Sequence, residues 1–149
     1  MTKELTQLHD MVSYFPVDAA KLTRKQKADA LSSLMFLVEK RTGAIKARNM
    51  ADGSKQRRQH GYKKEDNASP TVANENVMTT AAIDAHEERD VAVIDLPGAY
   101  LHAYSDEEVL MLLKGPLAEL MVMVDPAIYK KYVIYDSKKE AILYVKINK

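Results

Sequence analysis

An aspartate at the end of an apolar run is the residue in this sequence that most suggests chemistry. Asp95 follows residues 92–94 (Ala-Val-Ile), which read as the end of a buried strand, and the turn residues Pro97 and Gly98 come next. A carboxylate at the end of a core strand is costly unless a cation or hydrogen-bond donors pair with it. Enzymes that transfer phosphoryl groups use such a carboxylate to hold Mg²⁺ against the substrate phosphates. The alternative is a polar residue that caps a turn.

Other kinds of catalytic chemistry have weaker support. The chain has no cysteine, which excludes thiolate zinc sites, disulfides and cysteine nucleophiles. Its four histidines lie far apart in the sequence, without the i, i+3 or i, i+4 spacing of paired metal ligands. Residues 52–55 (Asp-Gly-Ser-Lys) do not fit the glycine-rich phosphate-binding pattern and are more simply a turn.

Charge is distributed unevenly along the chain, although the formal net charge is only +1. Residues 40–64 contain nine Lys or Arg and one acid, whereas residues 65–108 contain eleven acids and one Arg. A basic block beside an acidic one suits a polyanion-binding surface next to a cation site. The alternative is that both blocks are ordinary solvated faces.

The elements that must position these residues begin with a helix and a hairpin. Thr23 is the expected N-cap, and apolar positions 31, 34, 35 and 38 permit a helix to about residue 39. Two strands around a glycine-containing turn are equally consistent with residues 35–48, so we favour a helix over about 24–34 and then a hairpin. Residues 1–22 show no firm period and are expected to be a lead-in segment.

The second strand of this hairpin must alternate its side chains between two faces. Ile45 and Ala47 are expected to face the core, so that Lys46 and Arg48 stand together on the other face. Residues 51–70 carry turn signals and most of the basic charge, which predicts a loop.

The second half predicts helices, one short strand and a final hairpin. Asn74 is the expected cap of a helix over about 75–88, and residues 90–95 read as a short, largely buried strand. Helices are expected near 116–123 and 126–132, followed by strands over 132–135 and 141–147. The layout is a single α+β domain of a size that can bury its own core. No element follows to cover the last strand, which predicts a truncated chain.

The sequence also bears on the compartment. The first residues lack the basic-then-apolar layout of a signal peptide, and no apolar run approaches the roughly 20 residues of a membrane span. We therefore expect a soluble, intracellular protein with no membrane partner, in either the cytoplasm or the nucleus.

Four short segments occur in an order that a known family shares. They are residues 45–48 (Ile-Lys-Ala-Arg), Gln56 with Gly61-Tyr62 and 68–72 (Ala-Ser-Pro-Thr-Val), 95–101 (Asp-Leu-Pro-Gly-Ala-Tyr-Leu) and 106–109 (Asp-Glu-Glu-Val). In this order they resemble copia-type LTR-retrotransposon reverse transcriptases. The family's versions are Tyr-Lys-Ala-Arg-Leu-Val, Gln…Gly…Tyr…Phe-Ser-Pro-Val, the catalytic motif Asp-Val-Lys-Thr-Ala-Phe-Leu and an acidic segment. The resemblance covers roughly residues 34–149.

The sequence departs from the family at several positions. Leu96-Pro97-Gly98 replaces Val-Lys-Thr, and Asn49-Met50 replaces the Leu-Val after Arg48. The family's second motif, Tyr-x-Asp-Asp, supplies the other metal-binding carboxylates, and this chain contains no Asp-Asp pair. The family's Ala-Leu-Tyr-Gly-Leu segment is expected directly after Lys149, so the resemblance also implies truncation.

The resemblance implies a fold and a set of residue roles. The fold is that of the fingers (about 23–89) and partial palm (about 90–149) of a right-hand polymerase. In a complete relative, Asp95 would bind the Mg²⁺ pair that activates the primer 3′-hydroxyl. Phosphates of the incoming dNTP would be reached by Lys46 and Arg48, whereas Tyr100 would exclude a ribose 2′-hydroxyl and Ala99 would keep the sugar pocket shallow. The template backbone would be followed by the basic loop through Lys55, Arg57, Arg58, Lys63 and Lys64.

The implied function is RNA-templated DNA synthesis from a DNA primer in the full-length relative. The isolated chain is expected to be inactive, because two Mg²⁺ ions need more anionic ligands than Asp95 provides. A partner chain or the C-terminal remainder of a polyprotein would complete the palm. The alternative is a non-catalytic module that binds nucleic acid through residues 40–64, and a third reading is an inactive remnant that folds poorly.

Overall fold

A mixed β-sheet organises the fold, which a computed structural model describes for residues 2–54, 71–96 and 98–149, with only the backbone at Tyr100. The strands within these residues are β1 (Tyr14–Val17), β2 (Leu31–Glu39), β3 (Ile45–Ala51), β4 (Leu110–Lys114), β5 (Ile134–Tyr135) and β6 (Ala141–Ile147). Their order is β1-β6-β4-β2-β3, and β5 pairs with the start of β6. The β2–β4 pair is parallel, and the other described pairs are antiparallel. The α+β class predicted from the sequence is confirmed.

The described helices are distributed along the whole chain. They are α1 (Thr2–Asp10), α2 (Arg24–Asp29), α3 (Asn74–His86), α4 (Pro116–Val124) and α5 (Pro126–Tyr129), with short 3-10 turns at Ala19–Lys21, Ala99–His102 and Lys130–Tyr132. None of these described helices has the length and apolar character that a membrane span requires.

The core forms on both faces of the central strands β4 and β6. Their register pairs Met111 with Val145 and Leu113 with Leu143, and all four side chains are fully buried. This face packs against α1 and α4 in the larger apolar cluster. Because strand side chains alternate, Leu110 and Tyr144 point to the other face, where they form a smaller cluster with Ala19 and Ala30.

The amino-terminal segment differs from the expected lead-in, because it contributes a helix and a strand to this core. Leu5 and Leu8, three positions apart on α1, are buried against the larger cluster. After the turn, β1 pairs with β6 from Tyr14↔Ile147 to Val17↔Tyr144. A helix of nine residues is marginal alone, so tertiary packing rather than local propensity stabilises α1.

The Thr23 cap is confirmed, but its helix is shorter than predicted. The Thr23 hydroxyl accepts from the backbone N–H of Gln26, and the Gln26 side chain accepts from the backbone N–H of Thr23, which forms a capping box. The helix ends at Asp29 instead of residue 34, because Leu31 and Ser32 pair with β4. Strand pairing uses the backbone groups that a longer helix would need.

The predicted hairpin is confirmed as β2 and β3, joined by a turn with Gly43 at φ +75°. Ala47 is buried as expected, but the expectation for Ile45 was wrong, since its side chain is 70% exposed. The reason is that β2 pairs with β4 only through Leu31 and Ser32, so the turn end of the hairpin extends beyond the sheet.

Two expectations around α3 were also wrong. The helix begins at Asn74 and ends at His86, so Asn74 is a helical residue, while the N-cap is Ala73 without a side-chain hydrogen bond. Residues 90–95 form no strand, and the side chains of Val93 and Ile94 are 97% and 84% exposed. No described strand pairs with them, so their apolar run remains in solvent. The expected loop 51–70 lies almost entirely outside the described residues.

The carboxy-terminal predictions are confirmed: α4, α5 with its following 3-10 turn, and the β5–β6 hairpin. In the hairpin turn the carboxylate of Asp136 accepts from the backbone N–H groups of Glu140 and Lys138. These bonds, together with the ammonium of Lys114, lower the pKa of Asp136. Local signals suffice here because turn chemistry and strand alternation agree.

Truncating Leu5 tests whether α1 belongs to the core. We expect Leu5→Ala to lower the free energy of unfolding by about 2–5 kcal/mol, the usual cost of emptying a fully buried leucine site. The control is Asp10→Ala, an exposed residue of the same helix, which should stay within about 0.5 kcal/mol of the parent. Urea denaturation followed by circular dichroism measures both. Equal midpoints for the two variants would show that α1 is not packed as described.

Candidate functional site

A cavity of about 610 Å³ lies where α1, β3 and the segment after Asp95 meet. It is lined by Glu4, Gln7 and Leu8 of α1, Lys46, Arg48, Asn49 and Met50 of β3, and Leu96, Gly98, Ala99 and Leu101. This volume is in the range of small-molecule sites, which are typically about 300–1,000 Å³. We call it the main cavity.

The hairpin positions the two cations of the main cavity. Its register places Lys46 opposite Val38 and Arg48 opposite Phe36, with the buried Ala47 between them on the other face. Lys46 and Arg48 therefore share one strand face, as the alternation predicted. Both residues are exposed, so their charged groups are available to a ligand.

The charges around the main cavity favour an anion. Within the part of the chain that the structure describes, neither Lys46 nor Arg48 forms an ion pair. The one acid in the lining is Glu4, whose Oε1 accepts from the backbone N–H of Asn49 at 3.4 Å. The lining thus contains two cations and one carboxylate, an excess of positive charge that a phosphate or carboxylate ligand would offset.

A left-handed glycine brings the third element to the cavity. Gly98 has φ +64° and ψ 36° and precedes the 3-10 turn that carries Ala99. A Cβ at this position would lie 3.4 Å from Nε2 of Gln7 and 3.5 Å from Cδ1 of Leu101. Both contacts are ordinary van der Waals distances, so it is the left-handed backbone conformation that favours glycine here.

Beneath the cavity, Asn49 and Tyr14 connect the hairpin to the core. Asn49 Nδ2 donates to the Tyr14 hydroxyl at 3.2 Å. Burial, partly opposed by this hydrogen bond, raises the pKa of Tyr14 to about 12. The contact fixes β3 relative to β1, and the Glu4–Asn49 bond fixes it relative to α1.

A second polar contact anchors the carboxy-terminal end of α1. His9 Nδ1 lies 3.0 Å from the Tyr129 hydroxyl, and His9 Nε2 lies 3.8 Å from the Asp125 carboxylate. Burial and the nearby Asp125 raise the pKa of Tyr129. Tyr129 is fully buried in the core, so this trio is a structural tie between α1 and α5 rather than a catalytic group.

The sequence-predicted residues divide between the cavity and other locations. Lys46, Arg48 and Ala99 line the main cavity, and the backbone of Tyr100 continues the same turn. Asp95 is exposed in an irregular segment, next to the lining residue Leu96 but not itself in the lining. The predicted nucleic-acid contacts lie outside the described residues: Lys55, Arg57, Arg58, Lys63 and Lys64.

A metal centre requires several ligating side chains close together. Among the described residues, no group of three or more His, Asp or Glu side chains could hold a metal ion. Asp95 is exposed and belongs to no such group, so the described residues do not form a complete Mg²⁺ centre.

Sequence reasoning missed the residues that α1 contributes to the main cavity: Glu4, Gln7 and Leu8. Their role depends on the docking of α1, and the only local signal is the spacing of Leu5 and Leu8. This spacing is compatible with a helix, on which the polar residues beside the apolar stripe are the candidates for a site.

No family model, no curated protein and no solved structure matches this chain. Support for a function therefore comes from the geometry of the main cavity and from the resemblance of the short motifs.

Replacing Tyr14 by Phe tests the support beneath the cavity. We expect a loss of about 1 kcal/mol at neutral pH, because Asn49 loses its partner. Since folding raises this pKa from 10.0 to about 12, the stability that Tyr14 provides is complete below pH 10 and is lost as pH rises toward 12. Because a shift of about two pKa units outweighs a loss of about 1 kcal/mol, the gap in unfolding free energy between the parent and Tyr14→Phe should close and then change sign across that range in urea titrations.

The matched control is Tyr135→Phe, since this tyrosine is 68% exposed. Its free energy of unfolding should match that of the parent at every pH. A gap for Tyr14→Phe that stays constant from pH 9 to pH 12 would show that the Tyr14 hydroxyl does not titrate differently in the folded state.

Proposed function

We propose that this chain is the fingers and first part of the palm of a reverse-transcriptase-like polymerase, and that its main cavity binds a dNTP. One observation carries the proposal. The motif resemblance predicts nucleotide contacts at Lys46, Arg48 and Ala99, and all three line the same cavity although about 50 residues separate the hairpin from Ala99.

The lining suits the parts of a nucleotide. Arg48 offers a planar guanidinium that can bind two phosphate oxygens at once, and Lys46 offers a mobile point charge. Ala99, Leu96 and Leu101 form an apolar wall suited to a sugar or base. In this arrangement the hairpin binds the phosphates and the 3-10 turn contacts the nucleoside.

The metal part of the proposal is limited by the donor set. A resident two-metal centre does not fit the described residues, because no group of three or more His, Asp or Glu side chains among them could hold a metal ion. No metal-dependent step is therefore assigned to this chain. Mg²⁺ belongs to the proposal as the ion that accompanies the dNTP, and nucleotide binding is the property that the chain's own residues support.

Titration with a fluorescent dNTP analogue in Mg²⁺ tests the cavity. We expect Lys46→Ala and Arg48→Ala each to weaken binding by about tenfold or more, because a charge-assisted hydrogen bond contributes about 1.5–3 kcal/mol. Lys25→Ala on α2 removes the same charge from an exposed position outside the cavity and should change the dissociation constant less than twofold. Equal losses of affinity in all three variants would show that the analogue is attracted non-specifically by positive charge and would contradict a site in the main cavity.

A second candidate is a non-catalytic module that binds nucleic acid through residues 40–64. It has support from the hairpin surface, where Phe36 is 47% exposed directly opposite Arg48. The two candidates differ in the same titrations. Single-stranded RNA or DNA binding that survives Asp95→Ala but is lost when Arg57 and Arg58 are both replaced, with no dNTP binding, would favour the module.

Primer extension tests catalysis separately from binding. With an RNA template, a labelled DNA primer, dNTPs and Mg²⁺, we expect no extension by the 149-residue chain, because Asp95 alone cannot hold two metal ions. Extension by the parent chain that disappears in Asp95→Asn would contradict this expectation.

A further inference from the structure

A smaller cavity of about 270 Å³ lies on the turn side of the main cavity. It is lined by Lys3, Glu4 and Gln7 of α1, by Lys40 at the start of the hairpin turn, and by Ala44, Ile45, Lys46 and Ala47. We call it the lysine cavity. Its volume is below that of typical small-molecule sites, so it suits a compact group rather than a whole nucleotide.

The lysine cavity and the main cavity share part of their walls. Glu4, Gln7 and Lys46 line both of them, with α1 on one side and β3 on the other. A ligand in the main cavity can therefore extend past Lys46 without leaving the protein surface.

The charges of the lysine cavity are unbalanced. Lys3, Lys40 and Lys46 line the cavity together with one acid, Glu4, and no ion pair involves these lysines within the described residues. Lys3 is on α1, whereas Lys40 in the turn and Lys46 on β3 follow it in the sequence by 37 residues or more. Folding thus brings together like charges that repel each other unless an anion lies between them.

The backbones that carry two of these lysines are held in place. The turn is closed by two hydrogen bonds, from the Lys40 N–H to the Ala44 carbonyl and from the Gly43 N–H to the Lys40 carbonyl, both 2.9 Å. Lys3 is on α1, whose Leu5 and Leu8 are buried in the core. An anion would therefore need to order only the side chains and not the elements that carry them.

We propose that the lysine cavity binds a phosphate chain through Lys3, Lys40 and Lys46. The shared chemistry is that of a di- or triphosphate, and the source is either the tail of a nucleotide held in the main cavity or free inorganic polyphosphate. The nucleotide version rests on the proposed function, whereas the free anion does not. Lys3 lies outside the region of motif resemblance, so this site adds α1 to the ligand-binding elements of the chain.

Calorimetric titration of the whole 149-residue chain with inorganic tripolyphosphate tests the site directly. We expect the double variant Lys3→Ala/Lys40→Ala to weaken binding by about tenfold or more and to remove most of its salt dependence. The matched control, Lys25→Ala/Lys130→Ala, carries the same charge change on exposed residues outside both cavities. It should bind within about twofold of the parent chain. A parent chain that takes up no tripolyphosphate, or equal losses in both double variants, would overturn the proposal.

Further arms distinguish the two sources of the phosphate chain. If the nucleotide tail is the ligand, Lys3→Ala/Lys40→Ala should weaken binding of a dNTP and leave binding of the corresponding dNMP unchanged. If free polyphosphate is the ligand, the double variant should lose tripolyphosphate but keep its dNTP affinity. Arg48 lines the main cavity and not the lysine cavity. The variant Arg48→Ala should therefore weaken nucleotide binding and leave tripolyphosphate binding unchanged.

These arms also separate the lysine cavity from the proposed function. Tripolyphosphate binding without any nucleotide binding would support the lysine-cavity proposal and contradict the dNTP proposal. Nucleotide binding that depends on Arg48, in a chain that does not bind tripolyphosphate, would support the dNTP proposal and contradict the lysine-cavity proposal. Lys3→Gln/Lys40→Gln, which keeps the apolar stems, repeats the test if the alanine variant has a lower thermal midpoint than the parent.

Discussion

The burial of Leu5 and Leu8 is the contact on which the rest of the structure depends. Through these two side chains α1 packs against α4 and against the face of the sheet that carries Met111, Leu113 and Val145. The helix is too short to persist without this packing, so its polar face exists as a defined surface only because its apolar face is buried. One wall of each cavity between α1 and β3 consists of that polar face.

The opposite wall depends on a different kind of constraint. Within the described residues, the backbone ladder between β2 and β4 consists of Leu31 and Ser32, and Met35 and Ala51 pack against the core farther along the hairpin. The ladder alone therefore leaves the turn end of the hairpin weakly attached. The side-chain contacts of Asn49 with Tyr14, and of its backbone with Glu4, supply the missing attachment close to Lys46 and Arg48. These hydrogen bonds favour one orientation of the hairpin, because moving it would leave partly buried polar groups unpaired.

Local signals predicted the elements that need no distant partner. The Thr23 cap, the β2–β3 hairpin, α4 and the final hairpin each carry their own cap, turn or alternation, and they formed where expected. Asp95 shows the limit of this reasoning, since an apolar run becomes a buried strand only if another strand pairs with it, and none does within the described residues. The site was half predictable for the same reason: alternation alone brings Lys46 and Arg48 together, but the position of Glu4 and Gln7 depends on tertiary docking.

Because the two walls are anchored separately, ligand binding and the docking of α1 must be coupled. Undocking of α1 would remove Lys3, Glu4 and Gln7 from both cavities and would leave Lys46 and Arg48 on the hairpin. An anion that contacts both walls binds only the docked state, so it shifts the equilibrium toward that state by mass action. It also offsets the repulsion among the three lysines, which opposes docking while the cavity is empty. The apparent affinity of both cavities therefore depends on the core contact of α1, since any weakening of that contact lowers the population of molecules that can bind.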